Sequence, residues 1–218
     1  MTSVFAPKDG RKNWHEILTA FLSAFKDTPD ATLVLKMIGH ISHWWWELND
    51  WLTRVPPFRC RIVALHGYLS DVAYTQLIGA THWIVNGSNA EGLCLPLLEY
   101  MCAGRPAIAP THTAMADYIR DTNALTVRSE EECAMWPQDA RRRFTTVRHA
   151  IDWTSLRDAM REAYRITKSD PGRYAALSDG ATATMQGFCS DAVIRDKLTN
   201  FLSPRARTPA APSTSASV

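Results

Sequence analysis

Short apolar runs alternate with helical patterns through the first two-thirds of this chain, and that alternation leaves few architectures open. Ser3–Ala6, Ala31–Met37, Arg61–Leu65, His82–Asn86, Pro106–Ala109 and Ala124–Val127 are rich in Val, Ile and Leu and bounded by turn residues, so they read as buried strands. Between the first two, Trp14, Ile17, Leu18, Phe21, Leu22 and Phe25 recur at helical spacing and line one face. Similar helical stretches fill the other gaps at about 40–54, 70–79, 96–103 and 113–120. With no hairpin signal between them, these elements predict a parallel sheet covered on both faces, an α/β Rossmann-like doubly wound domain. From Trp153 onward the pattern is helical only, through Lys168, then Tyr174–Gln186 and Asp191–Leu202. Residues 204–218, apart from the final Val218, are Pro, Ala, Ser, Thr and Arg without periodicity and read as a disordered tail.

With 218 residues, 46% of them hydrophobic and 21% charged, the chain supports one substantial core with small additions rather than a rod or a disordered polymer. A net charge of +2 argues against blanket electrostatic binding to nucleic acid. Cys60, Cys94, Cys102, Cys133 and Cys189 are odd in number, irregularly spaced and without a Cys-x-x-Cys pair, which fits a reducing compartment and no metal site. No charged leader precedes an apolar stretch, and no uncharged apolar run reaches about 18 residues, so a cytoplasmic location is expected.

In open α/β sheets ligands bind beyond the carboxyl ends of the strands. The segments to inspect are therefore Pro7–Asn13, His66–Ser70, Gly87–Pro96 and Pro110–Thr113. Neither the dinucleotide fingerprint Gly-x-Gly-x-x-Gly nor a phosphate loop ending in Gly-Lys-Ser/Thr is present. The richest segment runs from Ser88 to Pro106. Pro96 suits the first turn of a helix, and Gly92 lets backbone approach a ligand just before it. The N–H groups of Leu93, Leu95 and that first turn then offer an anion site of a size for a diphosphate. Glu91 and Glu99 can point into one crevice, where acceptor-only carboxylates suit sugar and ribose hydroxyls. Read alone, Glu99 can equally be an acid compensating the helix N-terminus, and Glu91 a solvated loop charge.

Ser-x-x-Glu-Gly at 88–92, Leu-Pro-Leu-Leu-Glu at 95–99 and Met-x-Ala-Gly-x-Pro at 101–106 resemble the Glu-x7-Glu signature of the GT-B glycosyltransferases of family 4, the glycosyl transferases group 1. The likeness extends outward to Val4–Asn13 with its Lys-Asn turn, and to His66-Gly67 with Ser70-Asp71, covering about 1–202. It implies a C-terminal donor domain for a nucleotide diphosphate sugar over 1–187, and a helix over 188–203 that crosses back toward a first domain. By the same resemblance Glu99 binds the ribose hydroxyls, Glu91 contacts the sugar at its reacting face and Lys12 neutralises the departing diphosphate. Ser88, Gly92, Leu93, Cys94, Leu95, Arg11 and His112 join them as donor-binding candidates. No metal or cofactor is expected, because Lys12 and helix N–H groups can carry that charge, and the resemblance suggests retention of configuration. Two positions depart from the family pattern. Ala6-Pro7 stands where an arginine is usual, with Arg11 or Lys8 as substitutes, and Cys94 replaces a second glycine.

A GT-B enzyme carries its acceptor domain before the donor domain, whereas this sequence begins at the first strand of the second domain. A truncated coding sequence, a separate acceptor-domain partner chain and a domain reused for binding all remain open. The reading is a donor-binding half of a glycosyltransferase. The alternative is a non-catalytic nucleotide-sugar-binding or assembly subunit, and an unrelated Rossmann-like oxidoreductase is the third class. Among the remaining signals, Trp44, Trp45 and Trp46 spread over about 200° of helix, so at least one is exposed or covers a partner or, weakly, a membrane surface. Arg141-Arg142-Arg143 reads as a solvated loop, and His40, His43 and His66 as structural.

Overall fold

The computed structural model describes residues 1–5, 10–38, 41–135 and 139–203, with the side chains of 41–43 left aside. Ala6-Pro7, Lys8, His40, the His43 side chain and the tail 204–218 lie outside the described residues. Six strands, β1 (Thr2–Phe5), β2 (Thr32–Met37), β3 (Arg61–His66), β4 (Ile84–Val85), β5 (Ala107–Pro110) and β6 (Ala124–Val127), form one parallel sheet. Their spatial order, β3-β2-β1-β4-β5-β6, is that of a doubly wound Rossmann-like domain. The expected α/β class is therefore observed.

The helices follow from their apolar stripes. In α1 (Trp14–Phe25), Trp14, Ile17, Leu18, Phe21 and Phe25 are all buried, and they pack on Leu33 and Leu35 of β2. Helix α2 (Ile41–Arg54) buries Trp44 and Leu48 but leaves Trp45 and Trp46 exposed, as three consecutive residues on one helix require. Helix α3 (Asp71–Gly79) starts at Ser70, whose hydroxyl accepts from the Ala73 N–H at 3.3 Å. Helix α4 (Leu95–Cys102) buries Leu97, Leu98, Tyr100 and Met101. The stretch expected as a helix at 113–120 is only a 3-10 turn, Thr113–Asp117. Two long helices, α5 (Trp153–Ser169) and α6 (Pro171–Cys189), close the domain, with Leu156, Met160, Ala163 and Ile166 of α5 completing the main core. The last helix, α7 (Asp191–Leu202), is capped by Ser190 and buries none of its residues. It exposes Ile194, Leu198, Phe201 and Leu202.

One expectation fails. Ser129–Met135 (β7) and Thr145–Ile151 (β8) form an antiparallel hairpin where no hairpin was expected. Its sequence hides the pairing, because the run Glu130-Glu131-Glu132 has no apolar alternation and the turn lies nine residues long between the strands. The pairing is held instead by cross-strand matches such as Glu132 with Arg148, whose side chains bond at 2.5 Å. Arg141-Arg142-Arg143 sits in this exposed turn, where the Asp139 carboxylate accepts from the N–H groups of Arg141, Arg143 and Phe144.

Helix α6 packs so close to the loop before β6 that a Cβ at Gly180 would lie 2.0 Å from the Thr122 carbonyl oxygen. A Cβ at Gly187 of the same helix meets nothing within 4 Å. Gly180→Ala is thus expected to destabilise the domain by about 1–3 kcal/mol through overpacking. Gly187→Ala should instead stabilise by about 0.5–1 kcal/mol through helix propensity. Urea midpoints of the two variants, which should move in opposite directions, check the packing.

Candidate functional site

The strand order reverses between β1 and β4, and the segments that follow these strands meet beyond their carboxyl ends. The turn Gly10–Asn13 enters α1 through Asn13, held left-handed at φ 46°. Asparagine tolerates that conformation. The Asn13 side-chain amide donates to the Gly87 carbonyl at 2.8 Å and to Oδ1 of Asn89, while the Asn89 N–H donates to the Arg11 carbonyl at 2.8 Å. The two loops are thereby tied across the switch point.

Glu91 is the centre of that junction. Its carboxylate accepts from Lys12 Nζ, from Arg11 Nη1 at 2.9 Å and from Asn86 Nδ2 at 3.3 Å, and its side chain is only 5% exposed. Burial pushes this carboxyl upward, but Lys12 and Arg11 outweigh it and hold Glu91 below its ordinary value. Arg11 also donates to the Ala90 carbonyl at 2.6 Å. The Glu91 backbone is fixed as well: its N–H donates to Thr113 Oγ1 at 3.0 Å, and its carbonyl accepts from Ala114 at 3.3 Å. Thr113 does this from φ 49°, a strained conformation for a β-branched residue.

The structure brings Lys12, Arg11 and Glu91 into direct contact, and places Cys94 beside them. Cys94, the residue in the second-glycine position, starts α4 at φ 60°, the left-handed conformation in which glycine is the usual choice. Asn86 Nδ2 donates to its sulfur, and burial pushes the thiol up to about 11. A Cβ at Gly92 meets nothing within 4 Å among the described residues. Leu93 and Leu95 are exposed at the mouth of α4, and the Leu93 carbonyl accepts from Tyr118 Oη at 2.8 Å.

Other candidates sit differently. Glu99 is exposed and accepts from Tyr74 Oη of α3 at 2.7 Å, so a partner from α3 orients it. Ser88 is fully enclosed, its N–H donating to Asn86 Oδ1 at 2.6 Å. His112, expected to line the cleft, is 6% exposed because the His149 ring of β8 stacks on it at 4.2 Å between centroids and 4° between planes. The His149 N–H also donates to the Asn89 carbonyl at 2.9 Å, so the hairpin rests on the Glu91 loop. Asn86, Asn89, Thr113 and His149 carry no motif of their own. Only their place after a strand or in an unrecognised hairpin brings them here. Among the described residues no group of His, Cys, Asp and Glu is arranged to hold a metal ion, and no helix is long and apolar enough to cross a membrane.

A doubly wound sheet with a fixed ion-paired carboxylate at its switch point defines a Rossmann-like ligand-binding domain. The model of the glycosyl transferases group 1 family matches residues 4–140, and the chain belongs to that family. By sequence, no curated protein matches it. Among solved structures, HepE from Anabaena in complex with UDP superposes with a TM-score of 0.63 at 16% identity, over 93% of this chain and 48% of HepE. The catalytic domain of starch synthase IV from Arabidopsis thaliana, bound to ADP and acarbose, gives 0.61 at 15%, over 92% of this chain and 37% of that one. The C-terminal domain of LpcC, a glycosyl transferase group 1 family protein from Francisella tularensis, gives 0.57 at 15%, over 86% and 84%. The fold is that of the Rossmann-like half of a GT-B glycosyltransferase. The chain spans about half the length of HepE.

Burial, and then the neighbouring His149, push the His112 imidazole down from its ordinary 6.5 to about 4. The unfolded chain therefore binds a proton at this residue in a range where the folded chain does not. Stability from the neutral ring is full above about pH 6.5 and is lost as pH falls toward 4. The lowered Glu91 carboxyl acts with the same sign at lower pH. Urea midpoints measured between pH 7 and 4 should fall less steeply for His112→Phe than for the parent. Equal slopes would remove His112 from this role.

Proposed function

We propose that this domain is the donor-binding half of a glycosyltransferase, taking a nucleotide diphosphate sugar at the switch-point crevice and passing the sugar to an acceptor with retention. The observation that carries the reading is the convergence of Lys12 and Arg11 on Glu91, beside the N-terminus of α4. Both cations sit beside a helix N-terminus, which itself carries about half a positive charge. A diphosphate seated there gains further negative charge as the sugar leaves, and fixed cationic groups lower that barrier. Glu91 then faces the sugar and Glu99 the ribose hydroxyls. HepE was solved with UDP and with UDP-glucose, and the pneumococcal O-GlcNAc transferase GtfA with UDP and GlcNAc, which supports a nucleotide-sugar ligand class. A second Rossmann-like half, on the same or another chain, supplies the rest of the cleft.

Calorimetric titration tests this directly. UDP or GDP should bind and NAD should not. Lys12→Ala and Glu99→Ala should each weaken nucleotide binding by about 1.5–3 kcal/mol, the scale of a hydrogen bond to a charged group. Parent-like binding by both variants would reject the assignment.

A further inference from the structure

Glu99 is an exposed carboxylate on a long side chain, yet its direction is set from a neighbouring helix. Tyr74 Oη of α3 donates to its Oε2 at 2.7 Å, across 25 positions of sequence. The donor is itself fixed. The half-buried Tyr74 ring meets Tyr100 edge-on, at 6.1 Å between centroids and 73° between planes, and Tyr100 is fully enclosed. Tyr100 follows Glu99 on α4, so the phenol that reaches the carboxylate packs on that residue's own chain neighbour.

Two further contacts hold α3 against α4. Ile78 shares a buried cluster with Leu97, Leu98 and Met101, against which Tyr74 packs, and Arg105 Nη2 donates to the Gly79 carbonyl at 3.0 Å. Burial, and then the bond to Glu99, push the Tyr74 phenol above its ordinary value of 10. Its proton stays on the oxygen, and the hydroxyl stays a donor.

A glutamate with no partner loses rotamer freedom when it engages a ligand, whereas a carboxylate already held in one direction avoids most of that loss. The phenol takes up one acceptor position of Oε2. A carboxylate has about four such positions, so enough remain for two vicinal hydroxyl groups. Tyrosine suits the task because its ring is anchored by packing while its hydroxyl stands at the end of a rigid arm.

We propose that Tyr74 is a positioning residue of the donor site: it holds the Glu99 carboxylate in the direction that receives the two ribose hydroxyls, and so sets a preference for ribonucleotides over nucleotides that lack them. The proposal rests on the donor reading given above, in which Glu99 takes the ribose. Tyr74 lies in α3, outside the segment 88–106 that carries the paired acids, and nothing in its own neighbourhood announces the role.

The test is calorimetric titration of UDP and GDP, each beside its 2′,3′-dideoxy analogue, into the parent, Tyr74→Phe, Glu99→Ala and the double variant. The parent should prefer the ribonucleotide by at least about tenfold. Tyr74→Phe keeps the packed ring and removes only the hydroxyl. It should weaken the ribonucleotide by about three- to tenfold and leave the dideoxy analogue within about twofold, so that the preference narrows by the same factor. In the Glu99→Ala background, Tyr74→Phe should change ribonucleotide affinity by less than about twofold. Equal weakening of both ligands would make Tyr74 a support of the fold alone. An unchanged preference, tighter ribonucleotide binding, or a further loss in the Glu99→Ala background would show that Tyr74 does not act on the ribose through Glu99. Each of these results overturns the positioning role and leaves the donor reading standing. A parent that binds ribo and dideoxy forms alike would remove the ribose from Glu99 and overturn the role as well. A parent that binds none of the four nucleotides would overturn the donor reading itself, and the positioning role with it.

Discussion

Strands β1 and β4 are neighbours in the sheet, yet they share a single register pair, Thr2 with Ile84. Beyond it their connections run in opposite directions, β1 toward α1 and β4 toward α4, and among the described residues no further ladder joins them. Every feature of the site depends on that divergence. The groups that would otherwise pair strand to strand are replaced by bonds between loops: Asn13 to Gly87 and Asn89, and Asn89 to Arg11. Below these loops Phe5 of β1, Leu33 and Leu35 of β2, Val85 of β4 and Ile108 of β5 share one core with α1, so the loop bonds span a crevice whose floor is packed.

Three of the four non-glycine residues with positive φ among the described residues lie at the same place, the fourth being Arg142 in the hairpin turn. Asn13, Cys94 and Thr113 each adopt a left-handed backbone, at φ 46°, 60° and 49°, and each begins the segment that follows β1, β4 or β5. For residues other than glycine this costs about 1–2 kcal/mol apiece. Each cost is partly offset by a bond the conformation makes available. Asn13 reaches Gly87, the Cys94 carbonyl accepts from Leu97 at 2.9 Å, and Thr113 accepts from Glu91. Outliers of this kind belong to sites where backbone direction matters more than local comfort. Here they turn the chain so that Lys12 and Glu91 meet, and so that α4 starts at the crevice.

The parts legible in the sequence were those fixed by local periodicity or by a compact motif. The buried stripe of α1 and the apolar run of β2 needed no tertiary information, and the parallel, doubly wound class followed from the alternation of strands and helices. The segment 88–106 could be read as loop, glycine, helix start and paired acids because all its parts lie within one turn and one helix. What could not be read was non-local. Arg11 and Glu91 are separated by 80 positions, and nothing in either neighbourhood announces the ion pair. The hairpin escaped because Glu130, Glu131 and Glu132 break the alternation, and its strands gain their identity from cross-strand contacts such as Glu132 with Arg148. β4 reads as five residues and forms two, Ile84–Val85; the Asn86 N–H still donates to Ile108 of β5 at 2.9 Å, while its side chain turns to Glu91 and Cys94. The stretch at 113–120 reads as a helix, but Thr113 enters it left-handed and only a 3-10 turn, Thr113–Asp117, follows.

An enclosed ion pair is a poor source of stability, since the desolvation of both partners consumes most of the attraction between them. Glu91 is therefore better understood through what it does to its partners. Alone, Lys12 and Arg11 at adjacent positions would repel each other and seek water. Bound to one carboxylate, they are held in place at the mouth of the crevice before any ligand arrives. On the donor reading proposed above, cations fixed in this way need little reorganisation as charge develops on a departing diphosphate. Because the hairpin rests on the Glu91 loop through His149 and Asn89, anything that seats against the hairpin also bears on that carboxylate.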